Sequence, residues 1–145
     1  MLVSHILKAK GDLVITVLVT APLFAVAKTL ADKRIGALVV VNMPGVLVGV
    51  VSEREVVQAL ARYGAGALNR QVSDVMVVAA TVGPHETVRH AMGVMTERRV
   101  RHLPVVEDGR VIGLLSIGDV IKSRLSEKEA ENQVLQDIAR WPHAA

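Results

Sequence analysis

The chain has no cysteine among its 145 residues. That removes disulfides, thiolate nucleophiles and cysteine-bound zinc or iron–sulfur centres together, and it suits a reducing compartment such as the cytoplasm. Aromatic residues are nearly as scarce. Phe24, Tyr63 and Trp141 are the only three, too few for the stacking platform that holds single-stranded nucleic acid. Charge of one sign is also lacking: 17 Lys and Arg against 14 Asp and Glu leave +3, which suits a small anionic ligand as well as anything larger and is too weak to argue for nucleic acid. The N-terminus, MLVSHILKAKGD, has no long apolar core with a small-residue cleavage site behind it. No secretory signal is therefore expected, and the mature chain is expected to begin near Met1. The uncharged stretch IGALVVVNMPGVLVGVV, residues 35 to 51, approaches membrane-spanning length but is broken by Asn42, Met43, Pro44 and Gly45. That turn chemistry between β-branched runs predicts a hairpin of two buried strands and no contact with a membrane.

What is present is an apolar fraction of 51%, enough for one compact domain or two small fused units. Self-similarity decides for two. RIGALVVVNMPGVLVGVVSEREVV (34–57) aligns with RVRHLPVVEDGRVIGLLSIGDVI (99–121): strand, turn, strand, then Ser-x-x-acid opening a helix. The offset is 64 residues from Gly49 to Gly113 and 65 from Ile35 to Val100, one residue having been lost in the second turn. Leu23, Ala27 and Leu30 match Val88, Met92 and Met95 at 65, one apolar helix stripe in each copy. VSHIL (3–7) echoes VSDVM (72–76) as a lead-in to each unit. The expected order is lead-in, strand, helix, strand, strand, helix, twice, with the first closing helix over about 53 to 62. The units are 1–66, 67–125 and a helical extension, 126–145, closed by Trp141-Pro142. Halves of this size are marginal alone, so they are expected to pack together.

The tandem halves resemble a pair of cystathionine-β-synthase (CBS) domains, a Bateman module. GVVSERE and GLLSIGD match the family pattern Gly-h-h-Ser/Thr-x-x-Asp, and RHLPVVEDGRVIG is similar to its strand-turn-strand. The resemblance implies an α/β (α+β) fold of two β-α-β-β-α repeats packed as a pseudo-two-fold pair. It also implies a non-catalytic regulatory module, an energy or redox sensor. Its ligand would be an adenine nucleotide (AMP, ADP or ATP), NAD(H) or S-adenosylmethionine, bound in clefts between the repeats. A structural dimerisation unit without a ligand is the alternative.

Within that resemblance, one repeat's Ser-x-x-Asp faces the lead-in and first strand of the other. The main cleft would then hold Lys8, Lys10, Asp12, Leu13 and Ile15, with Ile35 from the first copy. Arg101, His102, Ser116 and Asp119 would complete it from the second copy. Cations suit phosphate, aliphatic walls suit adenine and Asp119 suits a ribose diol. The second, weaker cleft would hold Gly36, Ala37, Ser52 and Glu55, with Val78, Ala80 and Val100, and is expected to lack a cation matching Arg101. Each Ser-x-x-acid also reads as a plain capping box. Glu55 fits that reading fully, whereas the shorter Asp119 is expected to reach back to its serine less well.

Catalytic and metal readings find little support. Ser116 has only His102 as a base and no Gly-x-Ser-x-Gly elbow. His85 and His90, with Glu86 between them, form no ligand pattern, and His5, His85, His90 and His143 are expected at the surface. Arg98 and Arg99 read as helix C-terminal charges favoured by the dipole. Apolar helix faces, together with Val134, Leu135 and Ile138 on the charged C-terminal helix, predict a homodimer.

Overall fold

A computed structural model of the chain describes residues 1–11, 13–78 and 80–140. Asp12, Trp141-Pro142 and His143 lie outside the described residues. The order is α1 (Val3–Lys10), β1 (Thr16–Leu18), α2 (Leu23–Lys33), β2 (Ala37–Val41), β3 (Leu47–Ser52) and α3 (Glu53–Tyr63). Short 3-10 turns at Gly64–Asn69 and Val72–Asp74 lead to α4 (Val88–Arg98), β4 (His102–Glu107), β5 (Arg110–Ser116) and α5 (Ile117–Arg140). The fold is α+β, as expected.

The stretch 35–51 forms the expected hairpin, with Ala37 opposite Ser52 and Val39 opposite Val50. Among the described residues no helix is long and apolar enough to cross a membrane. β1 joins β2 in parallel, giving a three-stranded sheet of order β1-β2-β3. The second unit departs from the expected plan. Its first strand shrinks to a single parallel bridge between Val82 and Val105, leaving a two-stranded β4-β5 sheet. Where the first unit has Leu18-Val19, the second has Gly83-Pro84, and proline has no N–H to extend a ladder.

Two cores form, and each lead-in is anchored in the core of the opposite unit. Val3, Ile6 and Leu7 join Leu103, Val105 and Leu115, while Val72 joins Leu23, Leu38 and Val51. The backbone repeats the exchange. Val3 and Ser4 N–H donate to the carbonyls of Glu86 and Pro84 (2.9 and 2.8 Å), as Val72 and Ser73 donate to Ala21 and Val19 (2.8 and 3.0 Å). Val3 and Val72 are both 0% exposed, so each ties the halves together with about 1.5–3 kcal/mol of burial. Glycine permits the approach: a Cβ on Gly49 would stand 2.7 Å from the Val77 carbonyl oxygen, and one on Gly113 2.5 Å from the Leu7 side chain.

The apolar stripes of α2 and α4 need correction. The buried stripes are Leu23, Val26, Leu30 and Val88, Ala91, Met95. Ala27 is half-buried and Met92 exposed, because each helix rests on its sheet through i, i+3, i+7 and turns the i+4 position outward. The C-terminal extension is continuous with the motif helix, since α5 runs unbroken from Ile117 to Arg140.

Candidate functional site

Each buried strand of the repeated motif stops at a serine that begins a helix, and the residue three later turns its carboxylate back onto that serine. At Ser52 the backbone N–H and the hydroxyl both donate to Glu55 Oε1, at 2.9 and 2.8 Å, with both residues buried. Ser52 and Glu55 form the expected capping box, and the other carboxylate oxygen has no partner among the described residues. At Ser116 the N–H donates to Asp119 Oδ2 (2.9 Å) and Asp119 N–H donates to the Ser116 hydroxyl (3.0 Å). Asp119 thus does reach its serine, against expectation, because the Ser116 N–H points at its carboxylate as the first turn of α5 closes.

The second carboxylate is also claimed by a cation. Lys10, last residue of α1, donates to Asp119 Oδ2 at 2.6 Å and to the Leu114 carbonyl at 2.8 Å. Burial opposes the charge on Asp119, but the Lys10 ammonium and the Ser116 amide and hydroxyl outweigh it and hold the carboxyl below its ordinary range. The lysine expected to meet phosphate instead neutralises the carboxylate expected to meet ribose.

Around Glu55 the arrangement is open. A cavity of about 610 Å³ separates Ser52 and Glu55 from Val77, Val78, Ala80 and Val100 of the second unit. Five of the seven residues assigned to the weaker cleft line it together: Ser52, Glu55, Val78, Ala80 and Val100. Gly36 and Ala37 do not. Gly36 uses its carbonyl to accept the Glu53 N–H (3.1 Å), and Ala37 is buried in register with Ser52.

Arg101 and His102, assigned to the Asp119 cleft, line this cavity with Glu55 instead. The expectation that it lacks a cation is therefore corrected. The physical reason is that Val77, Val78, Ala80 and the start of β4 belong to one unit and face the other unit's serine motif together. Arg54, Arg98 and Arg99 line the cavity too. Arg98 and Arg99 were expected to act only as dipole charges, and the available signal was the basic run MTERRVR (95–101) that leads into Arg101. His102 also pairs in register with Ser116. Burial first, and then the charge of Lys10, push its imidazole below its usual pKa against the pull of Asp119 and Glu53.

Of the residues assigned to the Asp119 cleft, Lys8 is exposed with no bonded partner among the described residues. Ile15 and Ile35 are half-buried against the first core. Leu13 is 82% exposed and Val78, at the same place in the other copy, 79%. Among the described residues no group of His, Asp and Glu forms a metal site.

The family model of the CBS domain matches residues 11–62 and 72–126. The chain belongs to the CBS-domain family. It is 37% identical over 114 residues to the mitochondrial CBS domain-containing protein CBSX3 of Arabidopsis thaliana, covering 74% of this chain and 55% of the relative. It thus spans about half the length of that curated relative. The CBS-domain protein ATU1752 of Agrobacterium tumefaciens has a solved structure with a TM-score of 0.81 at 40% identity, covering 85% of this chain and 92% of that one. CBS domain protein PAE2072 of Pyrobaculum aerophilum was solved with AMP (TM-score 0.74, 29% identity, 82% and 89% covered). The CBS pair of protein MJ0100 was solved with 5′-methylthioadenosine and S-adenosyl-L-methionine (0.73, 29%, 86% and 98%).

Proposed function

We propose that this CBS pair is a non-catalytic regulatory module that takes an adenosine-containing ligand in the cleft between its repeats. The observation that carries the reading is the cavity joining Glu55 and Ser52 of one repeat to the aliphatic and cationic residues of the other. Glu55 still has an oxygen free for a ribose diol, the exposed Val78 offers an apolar face to a purine, and guanidiniums suit phosphate. Two family structures with adenosine compounds bound support the same class of ligand. Thermal melting of the full chain with AMP, ATP, NADH and S-adenosylmethionine tests it, because a ligand bound only by the folded state raises Tm. A rise with at least one compound is expected, and no shift with any overturns the reading.

The structural-dimer reading is compatible with this one and rests on a separate observation. Met92, Ile117, Ile121 and Leu125 on α4 and α5 are exposed, and so are Phe24, Val57 and Leu60 on α2 and α3. A homodimer pairing these faces would cover them and couple the clefts through a shared interface. Sedimentation at micromolar concentration is expected to give a dimer, and a monomer with or without ligand refutes it. The cysteine-free composition supports a reducing compartment, the cytoplasm being the plain choice beside a relative named mitochondrial. A protein target is expected to read the ligand state.

A further inference from the structure

The adenosine reading leaves open what lies beyond the ribose, and the charge of the cavity bears on that. Arg54 comes from the first turn of α3, Arg98 and Arg99 from the end of α4, and Arg101 from the approach to β4, so three separate segments bring four guanidiniums to one opening. None of the four forms an ion pair or side-chain hydrogen bond among the described residues. Among the described residues Glu55 is the one carboxylate lining the cavity, and its Oε1 is already engaged by Ser52. His102 adds no charge near neutral pH, because burial and the charge of Lys10 keep its imidazole deprotonated. Glu53 acts on His102 from the same helix turn but does not line the cavity. Four unpaired cations against one half-satisfied anion repel one another until a multivalent anion enters.

We infer that the Glu55 cavity selects an adenosine ligand by its phosphate charge, preferring a nucleoside triphosphate or diphosphate to a monophosphate and rejecting the cationic S-adenosylmethionine. The proposal rests on the adenosine reading and specifies the ligand class of the same site. A monophosphate can occupy only part of so wide a guanidinium set, whereas a polyphosphate chain reaches arginines from different segments. A sulfonium ligand brings a further positive charge into an already positive opening. This gives the cavity a rule for telling apart the adenosine compounds found in its structural relatives.

The test is calorimetric titration of the full-length protein with ATP, ADP, AMP, S-adenosylmethionine and inorganic triphosphate, at low and high salt, repeated on an Arg98→Ala/Arg101→Ala variant whose Tm matches the parent. Expected is ATP tighter than AMP by about tenfold or more at low salt, equivalent to about 1.4 kcal/mol. That gap narrows as salt rises and falls to about threefold or less in the double variant, with S-adenosylmethionine weakest. AMP or S-adenosylmethionine binding as tightly as ATP overturns the charge rule while leaving the adenosine site standing. A gap that survives the double variant overturns it as well. Binding of inorganic triphosphate with no binding of any adenosine compound upholds the cationic cradle and overturns the adenosine reading instead.

Discussion

The two clefts are built from the same repeated segment, yet they present opposite electrostatic states. In one, the carboxylate of Asp119 is closed by Lys10 at 2.6 Å. In the other, Glu55 shares a cavity of about 610 Å³ with four arginines, three of them from the opposite unit, and bonds only to its own serine. The difference comes from the unequal lead-ins. The first is an eight-residue helix whose last residue is the lysine. The second is a 3-10 turn of three residues that sends no cation across. Duplication supplied two equivalent carboxylates, and divergence in the segments opposite them made one self-satisfied and the other available.

The largest effect expected to test this contrast is at Glu55. Glu55→Ala removes the acceptor of two buried donors, so stability should fall by about 1–3 kcal/mol, read by urea denaturation, and adenosine-ligand affinity should drop about tenfold or more. Asp119→Ala should change that cavity's affinity less than threefold. Equal losses from the two variants would erase the distinction between the clefts.

Next in size are the glycines under the lead-ins. In Gly49→Ala the new methyl group meets a backbone carbonyl that cannot move alone, whereas in Gly113→Ala it meets the flexible end of Leu7. Overpacking costs about 1–3 kcal/mol. Gly49→Ala should fall at the upper end of that range and Gly113→Ala at the lower, and the reverse order in denaturation would show that the first lead-in is the more rigid.

Lys10→Ala should cost at most about 1 kcal/mol, the ordinary worth of a partly exposed ion pair. It also frees Asp119, so calorimetry should show ligand stoichiometry rising from one per chain towards two. Stoichiometry unchanged by the substitution would mean that the lysine is not what closes this cleft.

The smallest effects are in pH. The lowered Asp119 pKa makes its contribution to stability complete above the unfolded carboxyl value of about 3.9 and lost as pH falls through the lower folded value. Lys10→Ala should flatten that acid limb of the stability curve. The lowered His102 pKa means the unfolded chain takes up the proton first, so its contribution is present above about 6.5 and declines as pH falls towards the folded value. His102→Gln should remove that slope, measured by Tm between about pH 5 and 8, where histidine titrates.

Much of the fold was legible because it rests on local patterns. The hairpin at 35–51 was visible from its turn and β-branched flanks, the start of the first motif helix from Ser52 and Glu55, and the duplication from a constant offset. The shrunken strand at Val82 was legible in principle, since Gly83-Pro84 stands where the first copy has Leu18-Val19. The membership of each cleft was not, because Arg101 and His102 adjoin Ser116 within one hairpin yet face Ser52 and Glu55 across the interface.

The sequence by itself determined that there are two copies, that each ends a buried strand at a serine followed by an acid, and that no thiol or cysteine-bound metal chemistry is available. Hydrophobic periodicity and turn residues act over a few positions, so one chain read in order carries them. The tertiary structure decided which lead-in entered which core, that Lys10 would meet Asp119 across 109 residues of sequence, and that Arg98, Arg99 and Arg101 would share a cavity with Glu55. Those outcomes depend on how the two halves dock. Docking is set by the exchanged burial of Val3 and Val72, and charge partners are chosen only once that packing has fixed their distances.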